Sequence, residues 1–203
     1  VIGSNALTLG GVIGGSGGLV KEGSGDLIIS GTNSYQGNTV LNLGKLVVGA
    51  DGALGAGALS AAAGTTLDAN ATASLTNQVS LNGAVTVGGT ADLTLTGPII
   101  GGGSLTKNGG ATLNLSGNNL FLGGLNLNAG TLKVGSNTAL GSGNLTVSGA
   151  SSLDSSAAVA LVNNIVLNAG LTVAGSNALT LDGALSGTGT LTKAGTANLT
   201  LNG

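Results

Sequence analysis

The sequence predicts an all-β fold, a right-handed parallel β-helix whose short strands wind around a narrow aliphatic core. Three observations predict it. First, the chain repeats itself: residues 1–117 align with 87–203 without a gap, and 52 of those 117 positions are identical. A register held that long marks a tandem array, in which each unit packs on the next. Second, apolar residues come in pairs one residue apart, as in Leu113/Leu115, Leu125/Leu127 and Leu132/Val134. That period of two places aliphatics on one face of a strand and the intervening Asn, Thr or Lys on the other. Third, the composition has 41 Gly in 203 residues, one Tyr, one Phe and no Trp, with 41% apolar and 6% charged residues. Such a chain lacks the aromatic bulk of an ordinary globular core, yet its apolar content is too high for disorder.

Taken in order, residues 1–17 end a preceding unit, 18–103 form a first full repeat, 104–189 a second, and 190–203 begin a third. Together they make one rod. The chain starts and stops within repeats, so the sequence reads as a piece of something longer. Each unit opens on a phrase such as GSLTKNGGATLNLSGNNLFLGGLNLNAGTLKVG, from Gly103 to Gly135. Further strands are expected at Leu145/Val147, Ile165/Leu167, Leu171/Val173 and Leu179/Leu181, and a loop or strand in the Ala-rich run Ser155 to Asn164. Gly, Asn and Ser cluster between them and are expected to supply the positive-φ corners. Asn-Gly pairs suited to hairpins are rare, which favours corners of a coil over successive hairpins. Strand spacing suggests three or four coils of roughly 21–29 residues per unit. With whole coils in each unit, Leu113 and Leu199 would project on the same face, and Leu113 and Leu115 would point inward.

The phrase resembles the autotransporter-associated β-strand repeat, the passenger-associated repeat of Gram-negative type V secreted proteins. The resemblance rests on Leu105, Lys107, Gly109, Leu113, Leu115, Ser116, Gly117, Asn119, Phe121, Gly123, Leu127, Gly130, Leu132 and Val134. Their first-copy partners run from Leu19 and Lys21 through Asn33, Tyr35 and Gly37 to Val48. It implies an extracellular or outer-membrane location in a Gram-negative bacterium and a role in export or as a stalk. Membrane contact is implied only through a translocator outside this sequence.

The residues that recur with the unit are the structural repeat positions Lys21/Lys107/Lys193, Asn33/Asn119 and Tyr35/Phe121, with the strand pair Leu113 and Leu115. The lysines are expected in solvent, where they would discourage lateral strand pairing and where Lys107→Ala would change little. Asn33/Asn119, Asn42/Asn128, Asn77/Asn163 and Asn82/Asn168 are expected to cap corners and stack in ladders rather than form a glycan groove. Tyr35 and Phe121 are expected to pack a loop against the coil.

Chemistry is sparsely provided. The chain has no His, Cys or Arg, five Lys and a net charge of −2. No basic face with aromatic platforms exists, which excludes nucleic acid as a partner. Asp68 and Asp154 are the only acids kept in register, and they are expected a full unit apart, too far for an acid–base pair. The GSGDL phrase at Gly23–Leu27 is not repeated in the other copies, so it does not build successive calcium turns. No catalytic, metal or cofactor site is expected, and no cofactor. Three functions of different class follow. One is a non-enzymatic stalk of a surface-exposed or secreted adhesin passenger. Another is a self-assembling fibre, with like chains as partners, in a biofilm for example. The third is a binding module, toward ice or glycan for example, on a flat Thr-rich face marked by Thr8/Thr94/Thr180 and Thr106/Thr192, a second series that Val20 breaks. Neighbouring repeats of the same chain are the first partners in every case, and the sequence does not name a host or surface ligand.

Overall fold

Short strands that alternate aliphatic and polar residues bury one face only when something covers it, and here each coil covers the one before. The computed structural model describes residues 1–203. It contains strands and turns but no helix, and every strand pairing is parallel. The strands stack into four sheets of ten, seven, five and three strands. The five- and three-stranded sheets take the same place in the coil. Ile99–Ile100 of the former and Val159–Leu161 of the latter each follow a strand of the seven-stranded sheet and precede one of the ten-stranded sheet. The molecule is thus a three-sided β-solenoid of about ten turns. We call the ten-stranded sheet the first face, the seven-stranded sheet the second, and the remaining pair the third. At a strand spacing of about 4.8 Å the rod is about 45 Å long.

The interior is a single cluster of 41 buried residues, nearly all Leu, Val, Ile and Ala, running through the rod. Leu105, Leu125, Leu145 and Ile165 stack directly over one another on the first face. Leu113 and Leu115 point inward and are fully buried. Each such side chain contributes about 1.5–3 kcal/mol on burial, which offsets the ordering of so much glycine.

Three expectations are corrected. A coil takes about 20 residues, as the pairing of Leu125 with Leu145 shows; Lys45 with Thr66 and Gly130 with Ser151 lie 21 apart, the shortest span expected, and no pairing approaches the longest. The 86-residue unit is therefore not a whole number of coils. Leu27–Ile29 lies on the first face, its repeat equivalent Thr112–Leu115 on the second, and Leu199–Leu201 on the third. Leu113 and Leu199 accordingly sit on neighbouring faces, not the same one. Each unit makes four coils and one face more, a one-third turn, with a rise of about 21 Å. Finally, asparagine supplies no positive-φ corner: all residues of that conformation are glycines.

The one-third turn also moves the irregular part of the unit. In the first copy, residues 30–38 and 49–58 run as loops where the second face would have strands; in the second copy, 116–124 and 135–144 do so on the third face.

Candidate functional site

Three kinds of polar construction recur in the rod, and each solves a local problem of the coil. The first is a buried lysine. Lys21 and Lys107 are 1% and 0% exposed, so the expectation that they stand in solvent is wrong. At strand position three the side chain points inward, and its stem packs among the aliphatics. The ammonium of Lys107 donates to the carbonyls of Asn108 and Gly109, both at 2.8 Å, and to Ala129 at 3.3 Å on the coil above. Lys21 donates likewise to Gly23 and to Leu43 at 2.9 Å. A corner leaves carbonyls with no ladder partner, and the lysine satisfies them. Burial pushes both lysines below their ordinary pKa; Asp26 opposes this at Lys21, and Asp68 and Asp92 oppose it at Lys107. Lys193, on the final coil, is exposed.

The second construction braces the loops. Asn33 accepts from the Ile13 N–H at 2.7 Å and donates to the Ala53 carbonyl at 2.6 Å. Asn119 does the same between Ile99 at 2.8 Å and Ala139 at 2.7 Å. Each ties the coil below to the coil above. Asn77 and Asn163 each donate to two loop carbonyls, those of Gly55 and Gly57 and those of Gly141 and Gly143. Between these asparagines lie Tyr35 and Phe121, both buried in the interior. Gly55 and Gly141 sit against the rings at φ +59° and +63°, where an added Cβ would meet ring carbons at 3.0 Å. Tyr35 hydrogen-bonds Thr39. Burial pushes its phenol above the ordinary value, and the Thr39 bond partly opposes that. In the second copy Phe121 has no hydroxyl, and the position of Thr39 is occupied by Leu125.

The third is a charged pair beside the one acid kept in register. Lys133 lies 3.1 Å from Asp154, which also accepts from the Ser176 N–H at 3.0 Å and hydroxyl at 2.8 Å. Burial, the largest influence, pushes this carboxyl up. The bonds from Ser176, the Ser155 N–H and Lys133 together outweigh it and hold Asp154 below the usual carboxylate range. Asp68 accepts from the Thr90 N–H at 3.1 Å and hydroxyl at 2.8 Å. Its lysine is Lys45, 4.0 Å away and 3.1 Å from Asp26. Both acids are engaged in joining coils. The lysine partners lie 21 and 23 residues from their acids, one coil away, a spacing that becomes meaningful only once the coil length is known.

No three His, Cys, Asp or Glu side chains converge in a metal-binding group. The expected Thr-rich face is not assembled either: Thr8 is on the first face, Thr94 on the second and Thr180 on the third. The outward surface instead carries two shallow grooves. One, of about 620 Å³, lies on the first face around Thr106, Asn126 and Thr146. The other, of about 350 Å³, lies on the second face around Thr112, Thr131, Lys133 and Asp154.

Stacked coils, a continuous aliphatic interior and polar groups engaged in joining layers define a repeat scaffold. The Passenger-associated-transport-repeat family profile matches residues 19–48 and 105–134. The matched stretches are the ones on which the sequence resemblance rested, and it is borne out on those positions. Among curated proteins, the chain is 39% identical over 92 residues to the adhesin BmaC autotransporter of Brucella suis biovar 1 (strain 1330). That match covers 42% of this chain and 3% of the relative, so the chain spans a small fraction of the protein it resembles. No solved structure matches the chain.

Proposed function

We propose that this rod is a non-enzymatic stalk segment of an autotransporter-type adhesin passenger, displayed at the surface of a Gram-negative bacterium. The observation that carries the reading is the unbroken interior: one apolar cluster joins the coils of both repeats, so the rod transmits position along its axis. The similarity to an adhesin autotransporter supports the surface setting. The polar residues that recur with the unit are turned to holding coils together: Lys107, Asn119, Asn163 and Asp154 each bond to a neighbouring coil. The bonds give each of these groups a role in holding the rod together. Because each coil offers its upper strand edges to the next, the rod can grow one layer at a time as chain emerges.

The test is deletion of residues 104–189 from the full-length protein displayed on cells. A stalk predicts unchanged surface abundance and a reach shortened by about 21 Å, read by electron tomography. Unchanged reach with loss of adhesion would overturn the reading. So would concentration-dependent filament formation by the isolated chain, which belongs to the fibre alternative.

A further inference from the structure

The larger groove is lined by outward polar side chains that are almost all unengaged. Thr106, Asn126 and Thr146 stand in direct register on three successive coils of the first face, pointing outward. Beside them run Ser104, Gly124 and Asn144, with Gly124 leaving the hollow between its two neighbours. The side chains of Ser104, Thr106, Asn144 and Thr146 make no hydrogen bond within the chain. Asn126 only accepts, from the Ser148 hydroxyl at 2.7 Å, so its amide N–H₂ is free. Leu122, 64% exposed, forms an apolar rim. None of the eleven lining residues is charged.

The first repeat is an internal control. At the positions of Thr106, Asn126, Thr146 and Leu122 it carries Val20, Val40, Ser60 and Gln36, and in place of Gly124 it has Asn38. The inward residues of the same strands are apolar or lysine in both copies except Thr39, which takes the place of Leu125. The backbone therefore does not require the groove; the second repeat has hydrogen-bonding groups where the first has two outward valines, with Gly124 leaving a hollow beside them.

We propose that this groove binds a neutral, linear, hydroxyl-rich polysaccharide lying along the rod axis. The ladder repeats every layer, about 4.8 Å, close to the rise of one extended pyranose unit. Free hydroxyls and an amide can both donate to and accept from sugar hydroxyls, and Leu122 offers an aliphatic edge to a ring face. The absence of charge disfavours sulfated or uronic chains, which would leave anionic groups unpaired. A peptide strand finds no free edge here, because these strands are paired on both sides. With both aromatic residues buried, ring stacking contributes nothing, so the site is weak singly and depends on length of glycan.

The experiment titrates the 203-residue chain with cellohexaose, a neutral β-glucan, and separately with polygalacturonate and heparin, following amide shifts by NMR. The expected result is saturable binding of cellohexaose, with shifts confined to residues 104–106, 122–126 and 143–146. The double variant T106V/N126V, which installs the valines of the first repeat, is expected to fold and to bind about tenfold more weakly. Absence of saturable cellohexaose binding would overturn the proposal. So would undiminished binding by the folded double variant, equal binding of the acidic polymers, or shifts that track self-association with no glycan present. A stalk that binds no glycan would still shorten on deletion of a repeat, so the two readings fail separately.

Discussion

Lys107 shows how a charge can be structural in a rod this narrow. Its ammonium replaces lost water with three backbone carbonyls, two on its own corner and one on the coil above. Removing it leaves these acceptors unpartnered in a dry interior, which costs about 1–3 kcal/mol. Lys107→Ala is therefore expected to lower the midpoint of denaturant unfolding clearly. The pKa of Lys107 is lowered in the fold, so the unfolded chain holds that proton more tightly. The lysine's desolvation cost then applies at neutral pH and is relieved as pH rises from the lowered folded value towards the unfolded one. Asp154 works in the opposite direction. Its folded pKa is depressed, so its contribution is present above about pH 4 and is lost as pH falls through the folded value. Asp154→Asn should accordingly flatten the acid limb of a stability–pH profile. Neither role was legible in the sequence. A lone periodic lysine reads as a surface residue, and the carbonyls that hold it inside, two on its own corner and one on the coil above, converge only in the folded coil.

The loop held by Asn33 and Tyr35, with its second-copy counterpart at Asn119 and Phe121, illustrates exchange within an element. The pair Tyr35 and Thr39 of one copy becomes Phe121 and Leu125 in the other, a hydroxyl pair replaced by an apolar pair. Tyr35→Phe alone should destabilise by about 1 kcal/mol, because Thr39 loses its partner in a buried site. Adding Thr39→Leu should recover most of that loss, since the second copy demonstrates the combination. A double-mutant cycle measured by urea unfolding reads the coupling. Within the strands, Leu115→Asp places an unpaired carboxylate in the interior column and should prevent cooperative folding of the coils around it, seen as lost amide protection. The strands themselves were legible, because alternation of Leu with Thr or Asn survives any choice of coil length. The loops were legible only as Gly- and Asn-rich gaps. Which gap turns a corner and which replaces a whole strand depends on stacking against Ala53–Leu54 or Ala139–Leu140, and such contacts leave no local mark.

On the scale of the whole molecule two periods coexist, 86 residues of sequence and about 20 of structure. The second is present in the sequence as Leu105, Leu125, Leu145, Ile165 and Leu185, but the stronger identity at 86 masks it. Reading the longer period as a whole number of coils stretched the expected coil and put Leu113 and Leu199 on one face, where the structure has them on two. The structure resolves the mismatch by turning each unit through one face. An identical strand must then fit three different settings in successive copies. This explains why aliphatic residues, tolerant of several neighbours, hold the inward positions, and why the outward positions of Thr106 and Val20 were free to part.

That fractional turn has a consequence for how such proteins change over generations. Near-identical tandem copies invite unequal recombination, which adds or deletes whole units. A protein that gains one unit here does not merely lengthen: everything beyond the insertion swings through a third of a circle. Length and bearing are locked together, like the pitch and phase of a screw thread. Only gains or losses in multiples of three restore the original bearing. If the far end must face a particular way, related chains should differ in repeat number by threes; if it need not, they should differ by any number, and comparing repeat counts among siblings would reveal which.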